Sequence, residues 1–147
     1  MTTTIHPIPP GLFCVPAALV ALTGADVESV IVPALNRHMG SDDLLGTVSS
    51  VWMPVIHSVL EELGFKIRPY RRDAPAGPLR VHVATWAARS LRWPDRPVLA
   101  SIGGHCLVIC NGFVHDNWEP RGVLGPEHPF AKTTVIRASM VEGKQHD

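Results

Sequence analysis

The chain has 147 residues, 46% of them apolar and 18% charged, with a formal net charge of zero. These values fit one globular domain with its own core and exclude a disordered chain. A neutral chain whose longest basic run is Arg71-Arg72 lacks the electrostatic footprint of a nucleic-acid binder. No stretch approaches the roughly 20 apolar residues of a bilayer span, so no membrane partner is expected. The opening MTTTIHPIPP lacks the basic and apolar regions of a signal peptide, and the expected location is the cytoplasm. Three cysteines, an odd number, argue against a disulfide scaffold and agree with a reducing compartment.

Residues 1–13 read as an extended lead-in, restricted by Pro9 and Pro10. A first helix is predicted from Cys14: Pro16 suits a first turn, Ala17 to Leu22 propagate it, and Gly24 stops it. Asp26 reads as the N-cap of a second helix to His38, with Val27, Val30, Ile31 and Leu35 on one face. After a polar loop at Gly40–Ser50, a third helix runs from Met53 to Leu63. Its inward residues are Val55, Ile56, Val59, Leu60 and Leu63, and Gly64 is its stop. Phe65–Tyr70 is a predicted strand, Arg71–Leu79 a surface loop, and Thr85–Leu91 a short helix ended near Pro94.

The second half changes period. Val98–Ile102, His105–Cys110, Phe113–Trp118 and Thr133–Arg137 read as strands, parted by turn signals at Gly103-Gly104, Asn111-Gly112 and Pro120–Pro129. Asn111-Gly112 between two β-rich runs is a hairpin cue. Residues 139–147 read as a flexible tail. Helices followed by an antiparallel sheet make this an α+β fold, a single domain over 1–147.

Three segments carry chemistry. Cys14 heads the first helix, where the positive end of the macrodipole favours thiolate and first-turn N–H groups can stabilise an oxyanion. The plainer account is a small buried residue anchoring an apolar helix. His105 follows Gly103-Gly104, which permit close approach, and it opens a rigid apolar strand. Histidine is the usual base for a thiol, although a histidine here could equally be a packed core residue. Across the hairpin, the segment around Asp116 returns beside His105, where a carboxylate or amide can accept the imidazole N–H. Otherwise Asp116 and Asn117 only close a turn before Pro120.

With those residues in order, the chain resembles the papain-like cysteine peptidase superfamily, in which an early Cys heads a helix and a later β-hairpin carries His and then Asn or Asp. In detail it is similar to small uncharacterised papain-fold proteins of bacteriophages and prophages. The matching pieces are Cys14 with Ala21-Leu22-Thr23-Gly24, Leu63-Gly64-Phe65, Gly104-His105, and Asn111-Gly112 leading to Asp116-Asn117-Trp118. The resemblance spans about residues 11–137. It implies a papain-like fold with Cys14 as nucleophile, His105 as base, Asp116 as the orienting residue and Trp118 shielding the pair. Phe13 and Asn117, which flank these, join the binding candidates. It implies a host cytoplasm if the origin is viral.

Two departures stand out. Relatives carry a Gln several residues before the Cys as an oxyanion donor, whereas the only Gln here is Gln145. Phe13 stands where relatives carry something polar. The oxyanion then falls to the Cys14 backbone N–H, with His6 or a Thr side chain as further candidates.

Three functions follow. The first is a thiol hydrolase acting on a peptide, isopeptide or related amide through an acyl-enzyme. The second is a transglutaminase- or deamidase-type acyltransferase at the same site. The third, of another class, is a non-catalytic papain-fold binding protein. No cofactor is called for, and the expected partner is a peptide or protein substrate. Zinc on His105, Cys106, Cys110 and His115 is disfavoured, because Cys106 and Cys110 lie roughly 13 Å apart along one strand. His38, His57, His82 and His128 show no ligand spacing. Loops 40–50, 71–80 and 119–131 are expected to rim a cleft, with Trp52, Trp86 and Trp93 lining it or filling the core.

Overall fold

The five consecutive apolar residues Cys106–Cys110 are all buried, on both faces of the strand they form. A strand apolar on both faces needs a layer on each side. The computed structural model, which describes residues 5–40, 53–69, 82–92 and 96–143, supplies both layers.

Among the described residues, helices α1 (Cys14–Thr23), α2 (Val32–Met39), α3 (Met53–Glu62) and α4 (Val83–Ser90) accompany six strands. These are β1 (Lys66–Pro69), β2 (Val98–Ser101), β3 (Cys106–Cys110), β4 (Phe113–His115), β5 (Val123–Leu124) and β6 (Arg137–Glu142). They form one sheet in the order β1-β6-β2-β3-β4-β5, with every pairing antiparallel. The expected α+β class holds.

Side-chain alternation divides the core in two. Leu99, Cys106, Val108 and Val141 face α1 and its companions in one apolar cluster. Val98, Ala100, Leu107, Ile109 and Val114 face Val83, Trp86 and Ala87 of α4 in the other. α1 is apolar all round, which suits its almost complete burial from Cys14 to Leu22. No single helix is long and apolar enough to cross a membrane among the described residues.

α1 starts at Cys14 and ends at Gly24, as its sequence predicts. The second helix starts with a π-helical turn, Val27–Ile31, before α2. Asp26 caps it by accepting the Ser29 N–H, and Ile31 reaches back to the Asp26 carbonyl. Pro33, lacking an N–H, makes the wider turn the natural solution there. The extra residue turns Val30 partly outward and brings Val32 and Ala34 into the core. In α3, Ile56, Val59 and Leu60 are buried as expected, with Val55 and Leu63 packed at the margin. α4 begins two residues before the predicted start.

Three expectations are corrected. The strand predicted at Phe113–Trp118 stops at His115, because the Asp116 carboxylate accepts the Trp118 and Glu119 N–H groups and turns the chain. The strand predicted at Thr133–Arg137 is instead β6, Arg137–Glu142. Residues 139–143 are therefore no flexible tail: β6 lies between β1 and β2, and buried Ser139 is hydrogen-bonded to His57 of α3 at 3.0 Å. β5 and the 3₁₀ turn Gly125–Glu127 were hidden in a segment that reads as loop. The expected loops at 41–50 and 71–79, together with Tyr70, Trp52, Trp93 and Pro94, lie outside the described residues. Trp86 is core.

The Asn111-Gly112 hairpin forms as the dipeptide predicts. Both residues have positive φ, 53° and 86°, and Cys110 pairs with Phe113. The Gly112 N–H donates to buried Ser90 Oγ at 2.9 Å, so the end of α4 holds the turn that sets the β3–β4 register.

Gly24 has φ +69°, and a Cβ there would meet the His6 ring at 2.7 Å. Gly24→Ala should destabilise the protein by about 1–2 kcal/mol from the backbone alone, and further from the clash. Urea unfolding checks this; a loss within about 0.5 kcal/mol would mean that the lead-in is not packed on α1 as described.

Candidate active site

Cys14 is the first residue of α1, and Phe13 before it is extended and caps the helix with no side-chain bond. The Ala17 N–H reaches the Phe13 carbonyl to close the first turn. Helix geometry directs the N–H groups of that turn toward its N-terminal end, and Pro16 costs no bond there. The Cys14 sulfur lies in the positive end of the α1 dipole.

His105 stands one residue before β3, and the β3–β4 register, with Val108 opposite His115, leaves Asp116 level with Leu107, two residues from His105 on the same face. His105 Nε2 is 2.8 Å from Asp116 Oδ2. An ionised carboxylate only accepts, so His105 Nε2 carries the proton and donates it. That leaves Nδ1 as the ring nitrogen available to the Cys14 thiol, with which His105 is hydrogen-bonded. The three predicted catalytic residues are brought together.

Asp116 is wholly buried and fully satisfied. Oδ2 accepts from His105 and, at 3.0 Å, from His128 Nε2, while Oδ1 accepts the N–H groups of Trp118 (3.0 Å) and Glu119 (2.7 Å). His128 Nδ1 accepts the Phe130 N–H at 3.0 Å, so His128 must present its single proton to Asp116. His128 is thus a fourth member of the site. Nothing in its Pro-flanked, loop-like surroundings marks it in sequence, because only the tertiary fold of segment 119–131 returns it to Asp116.

The electrostatics follow from these contacts. Burial alone would raise the Asp116 carboxyl, but the bonds from His105, His128 and Glu119 hold it well below the usual carboxylate range. Burial, the largest single influence on His105, pushes the imidazole down. Its bonds and charge attraction to Asp116 and Cys14 together outweigh this and raise it to about 9. The Cys14 thiol is lowered to about 5, chiefly by a hydrogen bond from the Cys106 thiol and then, against the opposing effect of burial, by His105 and the Cys106 backbone N–H. Cys106 is pushed well above its ordinary value by the same contact with Cys14 and by burial. These directions describe a thiolate–imidazolium pair with a neutral second thiol beside it.

Trp118, 58% exposed, stacks on His105 with ring centroids 5.2 Å apart, and Phe130 packs against both rings. Together they cover the imidazole from solvent. Phe13 is 41% exposed beside Cys14, so two accessible aromatics flank the reactive pair. Asn117 Oδ1 is buried with no hydrogen-bond partner among the described residues. His6 is corrected as an oxyanion candidate: its N–H binds the Ala21 carbonyl and its ring lies on Gly24, at the far end of α1 from Cys14. Residues 2–4, with the Thr side chains, lie outside the described residues.

His115, half-buried, lines a separate pocket of about 570 Å³ with His6, Ile8, Pro10 and Arg121, which none of Cys14, His105 or Asp116 enters. Cys106 and Cys110 occupy opposite ends of β3. Among the described residues no group of three or more His, Cys, Asp or Glu is arranged to hold a metal.

Comparison of the chain with family models, curated proteins and solved structures finds no match.

His128→Ala should cost about 1–3 kcal/mol at pH 7, because it orphans the Phe130 N–H and removes one donor from a buried carboxylate. The stability that depressed Asp116 contributes is present above its unfolded pKa of about 3.9 and is lost as pH falls toward the lower folded value. The variant, with Asp116 less depressed, should lose less stability between pH 4 and pH 2. Parallel urea titrations across that range test it; identical acid limbs would show that His128 does not act through Asp116.

Proposed function

We propose that the protein is a papain-like thiol hydrolase that cleaves a peptide, isopeptide or related amide bond through Cys14, His105 and Asp116. The observation that carries this reading is one imidazole bonded at Nε2 to a buried carboxylate and, on its other side, to a thiol at a helix N-terminus. The order Cys, His, Asp along the chain and the stacked Trp118 support the papain-like assignment by resemblance.

The chemistry runs as follows. The Cys14 thiolate attacks the carbonyl carbon, forming the C–S bond and a tetrahedral oxyanion within reach of the first-turn N–H groups of α1. The imidazolium of His105 gives its Nδ1 proton to the departing amine as the C–N bond breaks, leaving a thioester on Cys14. Neutral His105 then takes a proton from water, whose oxygen attacks the thioester and releases the acid. Throughout, Asp116 keeps the Nε2 proton in place and stabilises the imidazolium when it forms. If an amine replaces water in the second step, the same site is an acyltransferase; if the amide is a side-chain carboxamide, it is a deamidase.

The near-complete burial of Cys14, 3% exposed, favours one alternative, a non-catalytic papain-fold binding protein that keeps the thiol for packing. Reactivity separates the two. Below its pKa of about 8.5 an ordinary thiol alkylates about tenfold faster for each unit that the pH rises, whereas a thiol near 5 has already levelled off by pH 6–7. Iodoacetamide labelling of Cys14 should therefore be nearly flat from pH 6 to 8. In His105→Ala the rate should rise with pH over that range, because the imidazolium is gone. An activated ester should also release a burst of one equivalent, absent in Cys14→Ala. A steep wild-type profile with no burst would sink the hydrolase and leave the binding protein.

A further inference from the structure

The acyl-transfer chemistry uses His105 and Asp116 but leaves a second thiol at the nucleophile without a task. Cys106 is the first residue of β3 and sits in the α1-facing apolar cluster with Cys14. Its thiol and its backbone N–H both hydrogen-bond the Cys14 sulfur. Cys14 and Cys106 are 3% and 4% exposed, so each thiol's immediate surroundings are protein and not bulk solvent. Cys110, the third thiol, is roughly 13 Å further along the same strand. None of the three is disulfide-bonded.

We propose that Cys14 and Cys106 form a reversible disulfide when Cys14 meets a hydroperoxide, which switches the site off and spares the nucleophile from irreversible oxidation. The Cys14 thiolate attacks the distal peroxide oxygen; the S–O bond forms as the O–O bond breaks, and the departing alkoxide or hydroxide takes the His105 proton. Sulfur is oxidised by two electrons to the sulfenic acid, and the peroxide is reduced to an alcohol or water. Neutral His105 then accepts the Cys106 thiol proton and passes it to the leaving hydroxide. Cys106 sulfur attacks Cys14 sulfur, the S–S bond forms, the S–O bond breaks, and water leaves.

One feature favours this partner over an external thiol: Cys106 is already in contact with the Cys14 sulfur and acts at a high effective concentration. The order of events is also set by charge. The Cys14 thiolate is what chiefly raises Cys106. Once Cys14 becomes an uncharged sulfenic acid that influence disappears, and Cys106 ionises more easily when it is needed.

The inference rests on the reactive thiolate of the hydrolase reading, not on acyl transfer. The test exposes the intact protein to hydrogen peroxide at pH 7, quenches free thiols with N-ethylmaleimide, and maps products by mass spectrometry. The wild type is expected to lose two hydrogens, to give a linked Cys14–Cys106 peptide, and to recover iodoacetamide labelling of Cys14 after dithiothreitol. Cys106→Ser, which keeps a hydroxyl donor at that position, should instead carry Cys14 to the sulfinic and sulfonic acids, beyond rescue by dithiothreitol. Cys106→Ala, the second variant, should do the same. Direct passage of wild-type Cys14 to the sulfinic acid, or a bridge to Cys110, overturns the proposal. A flat alkylation profile without the disulfide rejects this inference alone, whereas a steep profile with no oxidation rejects both it and the hydrolase.

Discussion

A carboxylate removed from water is the constraint from which the site is built. Asp116 has no exposed surface, and an isolated charge there would be costly by several kcal/mol. Its two oxygens receive four donors, two imidazoles and two backbone amides. The four donors tie three separate pieces of chain to one point: the lead into β3 through His105, the turn after β4 through Trp118 and Glu119, and segment 125–130 through His128. The same bonds that satisfy the charge end β4, fix the imidazole and seat Phe130 against it. Fold and site share one anchor. Removing a donor therefore disturbs both, since the remaining oxygens keep their need for partners.

Charge balance extends this to the thiol. Asp116 and a Cys14 thiolate place two negative charges around one imidazolium, with His128 donating as a neutral ring. The residual negative charge lies on the sulfur, where the α1 dipole and the Cys106 thiol and N–H meet it. Each group is held at the protonation state that the other requires. The helix N-terminus is accordingly more than a mount for Cys14. With Cys106 and His105, which lower the thiol, it favours an anion at 3% exposure.

Much of this is legible in residues and some is not, for physical reasons. α1 could be delimited because Pro16 and Gly24 impose backbone states that few other arrangements satisfy. The hairpin could be placed because Asn111-Gly112 supports positive φ twice in succession, and its register then leaves Asp116 level with Leu107, two residues from His105 on the same face. β6 escaped because its neighbours on both sides, β1 and β2, are distant in sequence. Arg137–Glu142 has only a weak alternation of its own, and pairing, not propensity, makes it a strand. His128 escaped for a similar reason. A histidine between prolines in a loop acquires meaning only when Asp116 is there to receive it. The π-helical turn before α2 was not read from Pro33, and its effect, turning Val30 partly outward, depends on how the adjoining helix packs.

In the proposed hydrolase, the absent upstream glutamine bears on how the oxyanion would be held. A side-chain donor adds to the first-turn N–H groups of α1, and losing one such donor typically costs about 10²–10³ in rate. His6, the nearest polar candidate by sequence, is bound at the other end of α1 and cannot replace it. Much of the stabilisation would then come from the helix terminus itself, beside an imidazole covered by Trp118 and Phe130. Low local polarity strengthens each remaining N–H interaction with a developing negative charge. The aromatic cover over His105 and the bare helix terminus at Cys14 thus act on one problem from two sides. Exposing the imidazole would weaken not only its bond to Asp116 but also the field in which the oxyanion of the proposed reaction would form.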